Sequence, residues 1–127
     1  MRKSFGLFIL CVLFIMGSSI QAQDAKAFVG DWNGAVSIGG MEIDIVCHFQ
    51  LNDDGTLTGT IDSPSQGAFG LALSDIQVDG KKITFGIDDP NVPGDPSFIG
   101  TLDEEGTTIS GDFSQSGGTG TFKLEKE

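Results

Sequence analysis

The chain has 127 residues, 39% of them hydrophobic, and sets 7 Lys plus Arg against 18 Asp plus Glu, a formal net charge of −11. So acidic a balance argues against nucleic acid and anionic membrane surfaces as partners. Its two cysteines are Cys11 and Cys47, and with only one of them beyond the N-terminal stretch an internal disulfide is excluded.

In chain order, Arg2 and Lys3 precede an apolar stretch of twelve residues, Phe5 to Met16, which Gly17-Ser18-Ser19 breaks. Ala22 then offers a small residue for cleavage before Gln23, the layout of a secretory signal peptide. A spanning helix needs roughly 17 to 25 apolar residues, so no membrane anchor is expected. Cys11 lies midway in the apolar stretch rather than at the cleavage point, so lipidation is not expected either. The expected organisation is a signal peptide over 1–22 and a single β-barrel domain over 23–127, secreted or periplasmic, with no membrane insertion of the mature chain. Removing 22 of 127 residues leaves 105 and, with Arg2 and Lys3 gone, takes the net charge from −11 to −13. A chain of that size can bury one core without staples.

The next stretch is built of short alternating segments between Gly, Asp and Asn clusters, with seventeen of the nineteen glycines and no Tyr, and it reads as all-β. The first strand spans Trp32 to Ile38. Gly39-Gly40 is a two-residue hairpin turn into the longest alternating run, Met41 to Leu51, whose odd positions are all apolar (Met41, Ile43, Ile45, Cys47, Phe49, Leu51). Such a period of two puts one face in a core and the other in water. Asn52-Asp53-Asp54-Gly55 turns into Leu57–Asp62. A looser passage, Ser63 to Ser74, holds at most a short edge strand around Leu71–Leu73. Ile76–Val78 and Lys82–Ile87 join across Asp79-Gly80-Lys81, and Asp88 to Pro96, with three prolines, is a loop. Ser97–Leu102, Thr108–Phe113 and Thr119–Glu125 complete the set.

Turns this short link sequence neighbours as antiparallel hairpins, an up-and-down meander. About eight to ten such strands leave two raw edges in an open sheet, and closure removes them. A small antiparallel up-and-down barrel is therefore expected, with a β-sandwich as the alternative. An apolar–x–Gly–x–apolar pattern recurs at Gly59, Gly100 and Gly111, with a weaker copy at Gly120. The glycine shares the inward face, as tight coiling or close backbone approach in a small barrel requires.

Phe28-Val29-Gly30-Asp31-Trp32 resembles the Gly-x-Trp start of the lipocalin and calycin barrels, in which the Trp plugs one end. With Asn33-Gly34, Asp62-Ser63-Pro64-Ser65-Gln66-Gly67 and Ile99-Gly100-Thr101-Leu102, the chain is also similar to the small β-domain that some exported bacterial proteins carry ahead of an α/β-hydrolase. The resemblance implies a lipocalin-like barrel. Hydrolase activity does not carry over, because no Gly-x-Ser-x-Gly nucleophile elbow occurs.

Several residues could carry chemistry. Cys47 and His48 adjoin in sequence, but strand neighbours point to opposite faces, so they form no nucleophile–base pair and Cys47 belongs in the core. The acidic loops Asp53-Asp54, Asp88-Asp89 with Asn91 and Asp95, and Asp103-Glu104-Glu105 lack the ligand spacing of a calcium loop and read as turns. Glu42 and Asp44 share a wet face with no cleft, unlike a glycosidase pair. No catalytic residues, metal ligands or cofactor are expected. The inward side chains are all apolar, so any cavity would take an apolar ligand, although an eight-stranded barrel can equally be filled by its own side chains, as a chain this short favours. The expected function is an exported, non-enzymatic binding module for a small apolar ligand or a protein partner, with Trp32, Ile45, Phe49, Phe85, Phe98 and Phe113 as the ligand contacts. The loops Ser63–Gly70 and Asp88–Pro96 would dock a protein. The alternative is an accessory domain without a cavity.

Overall fold

A computed structural model describes residues 24–127; the expected signal peptide over 1–22 lies outside the described residues. Alternation and turn chemistry produce eight strands, β1 (Gly30–Ile38), β2 (Met41–Leu51), β3 (Leu57–Ser63), β4 (Ala68–Asp79), β5 (Lys82–Ile87), β6 (Ser97–Leu102), β7 (Thr108–Gln115) and β8 (Gly118–Lys126). Each pairs antiparallel with its sequence neighbours, and β1 pairs with β8, which closes the ring. The architecture is thus the closed up-and-down barrel and not the sandwich. Gly39 and Gly40 both take positive φ, as the two-residue turn requires, and lock Ile38 opposite Met41.

One segment departs from the sequence reading. Leu71–Leu73 and Ile76–Val78, expected as separate short strands, belong to the single strand β4. Asp75 adopts a positive φ of 52°, and the register against β5 shifts between Ser74 and Gln77. A bulge moves the alternation by one residue, so the apolar positions change from odd to even while the strand continues.

The chain crosses between two ends. At one end lie the helical turn over 24–26, the turns 52–56 and 103–107, and the C-terminus; at the other lie the β1–β2 turn, a 3₁₀ turn Pro64–Gln66, the loop 88–96 and the β7–β8 turn. Trp32 and Phe28 are fully buried at the first end, and Ala25 packs with them. The Trp32 indole Nε1–H donates to the Phe28 carbonyl at 2.9 Å, so its one polar atom is satisfied in the plug. Lys126 Nζ sits 5.7 Å from the Trp32 ring centroid and covers it from the solvent side.

Above the plug the barrel is filled by aromatic rings. Phe85 stacks on its cross-strand partner Phe98 at 4.7 Å, and Phe49 and Phe122 meet this pair edge-on at 5.6 and 5.1 Å respectively. The inward glycines make room for this packing. Gly100 faces Gly111 across β6 and β7, and a Cβ on Gly100 would occupy the space of the Phe122 ring and Ile109. A Cβ on Gly34, Gly111 or Gly120 would instead overlap a carbonyl oxygen of the adjacent strand, that of Lys123, Ile99 or Ser37. The repeat is therefore a coiling device, each glycine admitting a neighbouring backbone or ring.

Candidate functional site

The filling stops short of the second end. There the wall is formed by one or two apolar side chains from each of seven strands: Val36 (β1), Ile43 and Ile45 (β2), Ile61 (β3), Leu71 (β4), Ile87 (β5), Phe98 (β6) and Phe113 (β7). They floor a half-open pocket of about 580 Å³ that opens to solvent between the loops. This volume lies within the roughly 300–1,000 Å³ common for small-molecule pockets. Sequence favoured a filled or nearly filled interior; side chains fill the core around the aromatic layer, and a half-open pocket remains at the mouth.

The rim is held in place by the backbone. Ser63 is buried, and its Oγ–H donates to the Asp44 carbonyl at 2.9 Å, while the Ser65 N–H donates to the Asp44 carboxylate at 3.2 Å. Across the mouth, the Asp88 N–H donates to the Ala72 carbonyl at 2.9 Å, and the Asn91 N–H to Asp89 Oδ1 at 2.8 Å. Gln115 Nε2 donates to the Pro93 carbonyl at 2.8 Å, and the Ser116 N–H to the Gly94 carbonyl at 2.9 Å, which ties the loop 88–96 to the β7–β8 turn. Both loops singled out in the sequence, 63–70 and 88–96, therefore border one opening. Phe69 stands at the edge of the opening, 65% exposed.

Of the six expected ligand contacts, Ile45, Phe98 and Phe113 line this cavity. Phe49 and Phe85 lie in the aromatic layer outside its lining, and Trp32 is sealed in the plug. Val36, Leu71, Ile87 and the rim residues Phe69 and Asp89 were not singled out as contacts. Val36 and Ile87 were already legible as inward positions, whereas Leu71 and Phe69 were hidden in a passage whose bulge obscured its period.

A second cluster lies on the outer wall, reaching from the plugged end of β1 toward the mouth end of β3. Asp31 is the cross-strand partner of His48, and Asp62 sits diagonally across on β3. His48 Nδ1 lies 2.7 Å from Asp31 Oδ1, and Nε2 lies 2.9 Å from Asp62 Oδ2. Only the doubly protonated ring can donate to both, and these bonds, to Asp31 first and Asp62 second, raise the His48 pKa. The Asp62 carboxylate also accepts the Gly70 N–H at 2.6 Å, and this bond and His48 hold its pKa down. With both nitrogens committed to carboxylates, the imidazole has no lone pair left for a substrate proton. The cluster staples β1, β2, β3 and the start of β4. Asp31 was within reach of sequence reasoning, since a two-residue Gly-Gly turn fixes the register that brings it opposite His48.

The remaining candidates separate. Cys47 is fully buried on the opposite face from His48, and burial raises its thiol pKa well above the usual range, with the Asp62 carboxylate adding to the effect. Glu42 and Asp44 lie exposed on the outer wall. Asp54 and Asp103 accept backbone N–H groups of Thr56, Thr107 and Thr108 in their own turns. Among the described residues no group of three or more His, Cys, Asp and Glu converges as metal ligands would, and no helix is long and apolar enough to cross a membrane. Comparison with protein-family models, with curated proteins and with solved structures returned no match.

Proposed function

We propose that this protein is an exported, non-enzymatic binding module that takes a small apolar ligand into one end of a lipocalin-like barrel. The single observation that carries the reading is the half-open pocket of about 580 Å³, with an apolar floor and a polar, hydrogen-bonded rim. A barrel serving only as an accessory structural domain gains stability from filling that space with side chains, at about 25 cal/mol per Å² of apolar surface removed from water. Leaving it open forgoes that gain. Relationship to the lipocalins and to the exported domain that precedes some bacterial hydrolases belongs to the same proposal, supported by the Gly-x-Trp plug and the eight-stranded meander. Export is supported by the layout of residues 1–22.

Titration with the neutral, environment-sensitive dye N-phenyl-1-naphthylamine tests the proposal. Saturable one-to-one binding is expected, abolished in Leu71→Trp, whose indole would enter the cavity. Trp32, the only Trp of the native chain, lies in the plug at the far end, so its emission should hold steady during titration. Absence of saturable binding, or binding undiminished in the folded Leu71→Trp variant, would sink the cavity as the site.

A further inference from the structure

The charge around the opening is one-sided. The loops at the mouth contribute Asp88, Asp89 and Asp95 and contain no Lys, Arg or His, and the strand ends beside them add Glu42, Asp44 and Asp62. The lysines of the described residues lie elsewhere: Lys26, Lys81, Lys82 and Lys126 at the plugged end, and Lys123 on the outer wall of β8, near Glu125. Asp89 belongs to the cavity lining and Asp62 borders it with its carboxylate turned to the outer wall, while no Lys, Arg or His lines the cavity. Asp62 shares its charge with His48. Asp89 is only half-exposed, and its one hydrogen bond comes from the neutral Asn91 N–H, so its negative charge has no cationic partner.

From this juxtaposition of an apolar cavity with an uncompensated carboxylate at its mouth, we infer that the ligand is an amphiphile with an apolar tail and a cationic head. The inference rests on the proposed ligand-binding function and names the class of ligand. A tail seated among Ile45, Ile61, Phe98 and Phe113 would leave its head level with Asp89 and the rim amides. An ammonium there meets an unneutralised carboxylate in partly desolvated surroundings, where opposite charges attract several-fold more strongly than in bulk water. A carboxylate head would meet like charge and find no Lys or Arg to pair with, so a fatty acid anion is the wrong ligand. The same field should draw cations toward the mouth and repel anions, in a salt-dependent way.

Three probes with one tail separate the charge argument from the cavity argument: decylammonium, decanol and decanoate, each competing with the bound naphthylamine dye below its micelle concentration. Decylammonium should displace the dye at least about tenfold more effectively than decanoate, with decanol between them. Asp89→Asn should reduce that preference several-fold while leaving decanol unchanged, and raised salt should narrow it. Equal displacement by all three, or a preference for decanoate, overturns the cationic-head inference and leaves the apolar cavity standing. A preference for decylammonium that Asp89→Asn leaves intact overturns Asp89 as its source. Failure of the dye and of every probe to bind overturns the binding function itself.

Discussion

The Cys47 thiol and the His48 imidazole leave adjacent residues of β2 on opposite sides of the barrel wall. One is fully buried in the core, and the other bridges Asp31 and Asp62 outside. Their proximity in sequence thus creates no chemistry between them, but it gives each a separate physical signature.

Cys47 should resist thiol reagents until the barrel opens. Burial removes access, and the raised thiol pKa leaves almost no thiolate to react. Labelling by a disulfide reagent should be negligible in native buffer and complete in denaturant. Fast native labelling would contradict the assignment of β2 faces. Cys47→Ser places a hydroxyl among apolar side chains and should cost about 1–3 kcal/mol in a urea titration.

His48 should give the protein an alkaline stability limb. Its folded pKa lies above the unfolded value of about 6.5, so its contribution is complete below that value and fades as pH rises through the folded pKa. Asp62 works in the other direction: its depressed pKa gives stability that is present above an unfolded value of about 3.9 and lost as pH falls through the folded pKa. Asp54 and Asp103 share that acid limb, whereas His48 is the only histidine in the chain. Urea midpoints of the native protein should therefore decline above neutrality, and those of His48→Gln should stay flat there. Because the cluster is partly solvated, the difference should remain within about 1 kcal/mol. Parallel alkaline decline in the two proteins would show that the imidazole does not staple the strands.

Gly111→Ala should be far more damaging than its one methyl implies. The added Cβ overlaps the Ile99 carbonyl, a backbone atom fixed in the β6–β7 ladder. Overpacking that no side chain can relieve should cost about 3 kcal/mol or more. Gly39→Asn provides the contrast: the turn position has nothing within 4 Å and a φ of +58°, which Asn tolerates. It should change stability by no more than about 0.5 kcal/mol. Comparable losses at both sites would mean that the inward glycines serve backbone conformation rather than space.

Much of this barrel was legible in the residues because its determinants are local. The alternation of Met41–Leu51 identified β2, the Gly-Gly turn fixed its register with β1, and short turns throughout demanded antiparallel neighbours. The reading failed at Asp75, where a bulge shifts the phase of alternation and one strand looked like two. The same lapse concealed Leu71 and Phe69, the β4 contribution to the mouth. The cavity was not legible for a different reason. Its volume is the difference between the ring's interior and the side chains that fill it, and the inward glycines change both, by tightening the coil and by vacating space. Asp62 reaches His48 diagonally from β3, a relationship set by the β2–β3 register across the longer turn 52–56 rather than by a two-residue hairpin.

Closure of the ring also fixes which way the barrel faces when it is held. The described chain begins with the turn that packs beneath Trp32 and ends where the Glu127 N–H meets the Asp31 carbonyl at 3.0 Å, both on the plugged side. A tether joined beside residue 24 or residue 127 would anchor the barrel by its sealed base and point the opening outward. The cavity would then stay accessible on a bead, a sensor surface or a fusion partner, and a single attachment chemistry would serve from either end.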